Sequence, residues 1–91
     1  MTITSEYREI VNPLGLHLRA ARRLVEVANS YEALLEIERE GGPKVNCKSI
    51  LGVLLLEGVQ GTSVRVMATG ADAQEALNAL VGLIDGGFGE I

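Results

Sequence analysis

The chain has 91 residues, a net charge of -4, one Phe, two Tyr and no Trp, so it offers neither a basic field to hold phosphate backbones nor a row of aromatics to stack bases. Nucleic acid is excluded as an expected partner. The length suits one domain burying roughly 60 to 65 % of the unfolded chain's surface, and an apolar fraction of 47 % with a mean hydropathy of +0.25 excludes a disordered acidic chain. The longest wholly apolar run, Val53 to Leu56, is far short of the ~20 residues that span a bilayer. No basic-then-apolar leader opens the chain, and a lone Cys47 builds neither a disulfide framework nor a Cys-rich zinc site. The expectation is a soluble globular module, residues 1–91, in a reducing cytoplasm.

In chain order, residues 3–11 read as an edge or half-buried strand in which Ile3, Tyr7 and Val11 share one face, although Ile10 spoils the alternation. Asn12-Pro13 breaks the pattern and Gly15 permits a turn, which makes 12–16 a loop. From Leu18 the apolar positions Leu18, Ala21, Leu24, Val25 and Ala28 take the three-and-four spacing of a helix ending near Asn29-Ser30. His17 therefore falls at its N-cap or first turn. Leu34 to Arg39 alternates, with Leu35 and Ile37 inward and Glu36 and Glu38 outward. Gly41-Gly42-Pro43 turns the chain into a second alternating segment, Lys44 to Lys48, with Cys47 inward as a buried thiol.

Ser49 then has the place of an N-cap for a short helix from Ile50 to Leu56, stopped by Gly58. Val64 and Val66, alternating with Arg65 and Met67, give a fourth strand ended by Gly70. Asp72-Ala73-Gln74-Glu75 has the form of a capping box, and Ala73, Ala76, Leu77, Leu80, Leu83 and Ile84 form the stripe of a last helix. Residues 86–91 are expected to be a frayed tail. The order is strand, helix, strand, strand, helix, strand, helix. It predicts an α+β fold in which a four-stranded, mainly antiparallel sheet carries three helices on one face.

The only histidine, His17, concentrates the chemistry. A neutral imidazole presents a nucleophilic nitrogen near physiological pH, and at a helix N-terminus it lies beside unpaired N–H groups that favour negative charge. Arg19, Arg22 and Arg23 place three of the eight basic residues within five positions. Arginines in a first turn are disfavoured by the helix dipole by ~0.3 to 1 kcal/mol each unless an anion arrives. Arg19 is positioned by spacing to grip phosphoryl oxygens, while Arg22 and Arg23 suit an acidic partner. No second histidine or ligand-spaced carboxylate supports a metal site, and no spare base supports a hydrolytic dyad. A passive anion pocket in a small-molecule-binding regulatory domain remains a second reading of the same residues.

Gly15-Leu16-His17-Leu18-Arg19-Ala20-Ala21 resembles the motif GLHARPA of the HPr family, the histidine-containing phosphocarriers of the phosphoenolpyruvate-dependent sugar phosphotransferase system. Val45 to Gly52 is similar to that family's regulatory-serine segment, and Gly70-Ala71-Asp72-Ala73 through Leu80 to its final helix. The resemblance implies an open-faced β-sandwich and a monomeric carrier without turnover of its own, needing no cofactor. It implies that His17 accepts a phosphoryl group on Nδ1 from phosphorylated Enzyme I and hands it to a sugar-permease IIA domain, with Arg19 assisting. Ser49 carries over as the site modified by an HPr kinase/phosphorylase, with Lys48 beside it. Leu18, Ala20, Arg22, Arg23, Ile50, Leu51 and Leu54 would supply the surface that docks the partners. Ala20 stands where the motif has proline, and Leu18 and Arg22 where small residues are common, which points to altered partner recognition or a regulatory paralogue.

Overall fold

In the computed structural model, which describes all residues from Met1 to Ile91, the chain forms an antiparallel sheet covered on one face by three helices. The strands are β1 (Thr2–Thr4), β2 (Arg8–Glu9), β3 (Leu34–Arg39), β4 (Lys44–Asn46) and β5 (Ser63–Thr69); the helices are α1 (Leu18–Asn29), α2 (Ile50–Leu55) and α3 (Ala73–Asp85). The sheet order is β1-β5-β3-β4, with β2 continuing along β5 on the side of β1.

The centre is the pairing of β3 with β5, in register from Leu34 opposite Thr69 to Arg39 opposite Val64. Alternation sorts these strands by face. Leu35, Ile37, Val64, Val66 and Ala68 are fully buried, while the outward pair Glu38 and Arg65 makes a 2.7 Å ion pair and Arg65 lies over the Tyr7 ring at 4.8 Å. Directly opposed side chains of this kind are the unit by which a sheet is held.

The first strand departs from the predicted face assignment. β1 pairs Thr2 with Thr69, whereas β2 pairs Arg8 with Val64, so the register advances by one residue between them. At the break both the N–H and the hydroxyl of Ser5 engage Val66. One extra residue reverses which parity points inward. That is why Ile10, which spoils the alternation in the sequence, is fully buried while Tyr7 is 38 % exposed.

Helix α1 runs over the predicted span and buries Ala20, Ala21, Leu24 and Ala28. Leu18, assigned to the same stripe, is instead 63 % exposed. Helix α2 begins where Ser49 Oγ accepts the Gly52 N–H at 3.0 Å, the predicted cap. The capping box at Asp72 does not form: the carboxylate accepts the N–H groups of Glu32 and Ala33 at 2.9 Å each and makes no cap bond to its own helix. Asp72 thus ties the start of α3 to the turn before β3, where two strand-entry donors lack ladder partners.

The segment 86–91 is packed rather than frayed. Gly87–Gly89 forms a 3-10 turn against α1 and α3, and Phe88, 1 % exposed, joins the core. Phe88 adopts φ 57°, a conformation costing an L-residue roughly 1 to 2 kcal/mol. Burying its ring returns roughly 1.5 to 3 kcal/mol, enough to hold the turn. Glycine-rich composition hid this, because the flanking Gly87 and Gly89 also have positive φ and serve the turn rather than disorder.

Truncating Phe88→Ala should therefore destabilise the whole protein by about 3 kcal/mol, the lower end for a buried aromatic because the tail can collapse locally. Urea denaturation measures this; a loss below the scatter of surface substitutions would mean the turn is not part of the core.

Candidate functional site

His17 is the N-cap of α1, with φ -74° and ψ 179°. The loop feeding it is fixed from two sides. Leu16 N–H donates to the Gly58 carbonyl at 2.8 Å, and Gly15 holds φ +61° where a Cβ would run into that same carbonyl, so only glycine fits. Asn12, fully buried, donates from Nδ2 to the Gly15 carbonyl at 2.8 Å.

The imidazole is held at both nitrogens. Nδ1 accepts the backbone N–H of Arg19 at 3.3 Å, and Nε2 lies 2.6 Å from Glu90 Oε2. A carboxylate accepts only, so Nε2 carries the proton and Nδ1 keeps its lone pair. The same Asn12 Nδ2 donates to Glu90 Oε1 at 2.9 Å, so the carboxylate is gripped at both oxygens. The His17 and Glu90 side chains are 25 % and 14 % exposed, which leaves the ring reachable while the hydrogen bond between them is largely shielded from water. The hydrogen bond from Asn12 first, then that from His17 and the charges of His17 and Arg19, hold the Glu90 carboxyl below the usual carboxylate range against the opposing effect of burial.

Beside this pair lies a cleft of about 440 Å³ lined by Pro13, Leu14, Arg19, Arg23, Phe88, Gly89 and Glu90. Arg19 and Arg23 are exposed, and neither guanidinium is engaged in an ion pair. Two unpaired cations, the N–H groups of a 12-residue helix and a lone-pair nitrogen thus share one end of α1. Such a set can attract an anion, attack it with nitrogen and neutralise the charge on its oxygens.

The other predicted residues divide. Leu18, Ile50 and Leu51 are exposed at 63 %, 37 % and 65 %, and Arg22 is exposed on α1. Ala20 is only 1 % exposed. It lies on the core face of α1 three residues after the N-cap and offers no docking surface, which corrects that assignment. Leu54 is half-buried and packs against the core. Lys48 is turned back, its ammonium donating to the Tyr31 carbonyl at 2.7 Å. Ser49 is half-buried on α2, apart from the cleft residues. Burial, then Glu36, pushes the Cys47 thiol up to about 12, consistent with an inert packed thiol.

Sequence reasoning missed Asn12, Glu90, Leu14 and Val59. The last two are exposed at 66 % each, Leu14 at the cleft and Val59 against Gly15. In sequence, Asn12 shows itself only as the residue that with Pro13 ends the strand pattern and opens the loop, and Glu90 only as tail. A lone buried-length amide before a histidine loop, and an aromatic with an acid in an otherwise glycine-rich end, were the signals available.

Residues 5–85 match the family model described as the PTS HPr component phosphorylation site. The chain is 39 % identical over 82 residues to the phosphocarrier protein HPr of Neisseria meningitidis, covering 90 % of this chain and 91 % of that one. It is 42 % identical over 81 residues to HPr of Pseudomonas aeruginosa, covering 89 % and 90 %, and 34 % identical over 82 residues to the phosphocarrier protein NPr of Escherichia coli, covering 90 % and 91 %. Among solved structures, an HPr of Thermoanaerobacter tengcongensis superposes with a TM-score of 0.87 at 40 % identity, covering 100 % of this chain and 98 % of that one. The fold and site thus define a phosphocarrier of the phosphotransferase system, a relay component rather than an enzyme with turnover. The chain belongs to the HPr family.

The depressed Glu90 carboxyl makes stability depend on pH with a definite sign. A group whose folded value lies below its ordinary 4.5 stabilises the protein above that value and ceases to as pH falls through the depressed one. Wild type should therefore lose more denaturant resistance on acidification through this window than Glu90→Gln does. Identical pH profiles would contradict the contact.

Proposed function

We propose that His17 accepts a phosphoryl group on Nδ1 from phosphorylated Enzyme I and passes it to a sugar-permease IIA domain in the cytoplasm. The observation that carries this reading is the imidazole itself: Nε2 is occupied by Glu90 and Nδ1 keeps its lone pair at the N-terminus of α1. As the phosphoryl arrives, the Nδ1 lone pair forms the P–N bond while the bond to the donor's leaving atom breaks with its electron pair. The Arg19 N–H is released from Nδ1 and becomes available to a phosphoryl oxygen, and the Arg19 guanidinium spreads the remaining negative charge. Transfer onward reverses these steps on the acceptor.

Leu18, Ile50 and Leu51, with Arg22 and Arg23 at the rim, form the surface we assign to Enzyme I and IIA docking. Exposed apolar side chains on α1 and α2, which pack together, support this. Ser49 is proposed as the regulatory site of an HPr kinase/phosphorylase. Its hydroxyl caps α2, and a phosphate at a helix start is tolerated electrostatically, so modification would change the docking surface without unfolding the helix. Similarity to proteins named HPr and to proteins named NPr favours, as a second reading, a regulatory paralogue that signals through its phosphorylation state.

Incubation with phosphoenolpyruvate and Enzyme I should add one phosphoryl group to the intact mass, acid-labile and base-stable. His17→Ala should stay unlabelled and Arg19→Ala should label more slowly. Labelling of His17→Ala would sink the assignment, and reversible anion binding with no covalent gain would point instead to a passive pocket.

A further inference from the structure

Glu90 lies 73 residues from the histidine it touches and outside the 5–85 span of the family model. Its placement is over-determined. Phe88 buries its ring in the core two residues earlier, and Asn12, itself fully buried, grips Oε1 from beneath the active loop. A surface carboxylate drawn by chance to a histidine has no need of a buried amide on its other oxygen. The Asn12 Nδ2 bonded to Glu90 also bonds the Gly15 carbonyl, so the loop before His17 and the tail after α3 are located by one group.

We propose that Glu90 is a positioning residue for phosphoryl transfer: held by Asn12, its carboxylate accepts a hydrogen bond from the Nε2 proton of His17 and so keeps Nδ1 free of hydrogen at the N-terminus of α1. The inference rests on His17 being the acceptor. Its logic is that of any imidazole oriented by a carboxylate. Without that acceptor, only the 3.3 Å contact from the Arg19 N–H to Nδ1 opposes exchange of the proton between nitrogens, and the tautomer with hydrogen on Nδ1 is unreactive there. With it, the ring stays in one tautomer and one orientation. The same oxygen serves a second stage. Once Nδ1 bonds to phosphorus while Nε2 keeps its hydrogen, the ring carries a positive charge, and Glu90 Oε2 already lies 2.6 Å from it. No proton has to move in or out; the charge formed on the ring is met by a charge in place. When phosphorus leaves for the next acceptor, the lone pair returns to Nδ1 and the neutral tautomer is restored.

The test uses the full chain with Glu90→Ala, which removes the carboxylate, and Glu90→Gln, which keeps an oxygen acceptor but loses the charge. The ring nitrogens report tautomer by ¹⁵N chemical shift at a pH where the imidazole is neutral, and the Nε2 proton reports shielding from solvent exchange. Wild type should show a single tautomer with a protected Nε2 proton. Glu90→Ala should show a mixture with no protection, while Glu90→Gln keeps the tautomer. Both should accept phosphoryl from phosphorylated Enzyme I more slowly, roughly three- to tenfold, the rate equivalent of a part-shielded charge-assisted hydrogen bond. A purely structural tail would neither slow labelling of Glu90→Gln nor alter the ring spectrum of Glu90→Ala. If wild type labels normally while both variants label at its rate, or the ring spectrum of Glu90→Ala is unchanged, the positioning role is overturned and the acceptor assignment stands. If wild type itself takes no phosphoryl, the acceptor assignment falls and this inference falls with it.

Discussion

Asn12 is the constraint on which the site depends. Its side-chain amide is fully buried, Oδ1 has no hydrogen-bond partner, and the two Nδ2 hydrogens make all of its polar contacts. One nitrogen supplies both, to the Gly15 carbonyl in the loop and to Glu90 at the far end of the sequence. The two chain regions that build the histidine site are thus joined by one group that bonds both. The sheet sets up this meeting. β2 and α3 deliver the loop and the tail to the same end of the molecule, and the Arg8 guanidinium clasps Asp85 at 2.7 and 2.9 Å where α3 gives way to the tail.

A charge balance follows from that geometry. Arginines at the start of α1 oppose the helix dipole and one another, and an acidic protein overall does little to relieve them locally. Glu90 relieves part of the strain and gives the histidine a partner, yet leaves Arg19 and Arg23 without ion pairs at the cleft. The site is therefore poised for one further anion. Under the proposed function, this residual imbalance is what a phosphoryl group would meet, and the exposed apolar side chains around it are what a partner would meet.

Much of the architecture was legible in the sequence because periodicity reports burial directly. Leu35 and Ile37 inward, Ser49 as cap and the span of α1 all follow from spacing and side-chain chemistry. Three features were not, each for a physical reason. A bulge at Ser5 shifts the face parity, and period-two reasoning cannot see an inserted residue. Asp72 prefers two backbone donors 40 and 39 residues away to its own helix, a choice only tertiary structure reveals. The tail looked frayed because glycines usually mean freedom, whereas here they give the turn that lets Phe88 enter the core. For the candidate site, the motif singles out His17 and Arg19, but the contacts of Glu90 with His17 and Asn12 span 73 and 78 residues, where spacing carries no signal.

The central claim is that one nitrogen of His17 is reserved and the other is offered. It is tested most directly by the ³¹P and ¹⁵N spectrum of the phosphorylated protein, which distinguishes the two ring positions by the nitrogen that couples to phosphorus. The account predicts a single phosphohistidine species with phosphorus on Nδ1 and hydrogen on Nε2. Phosphorus on Nε2, in the place the Glu90 carboxylate occupies, would contradict it.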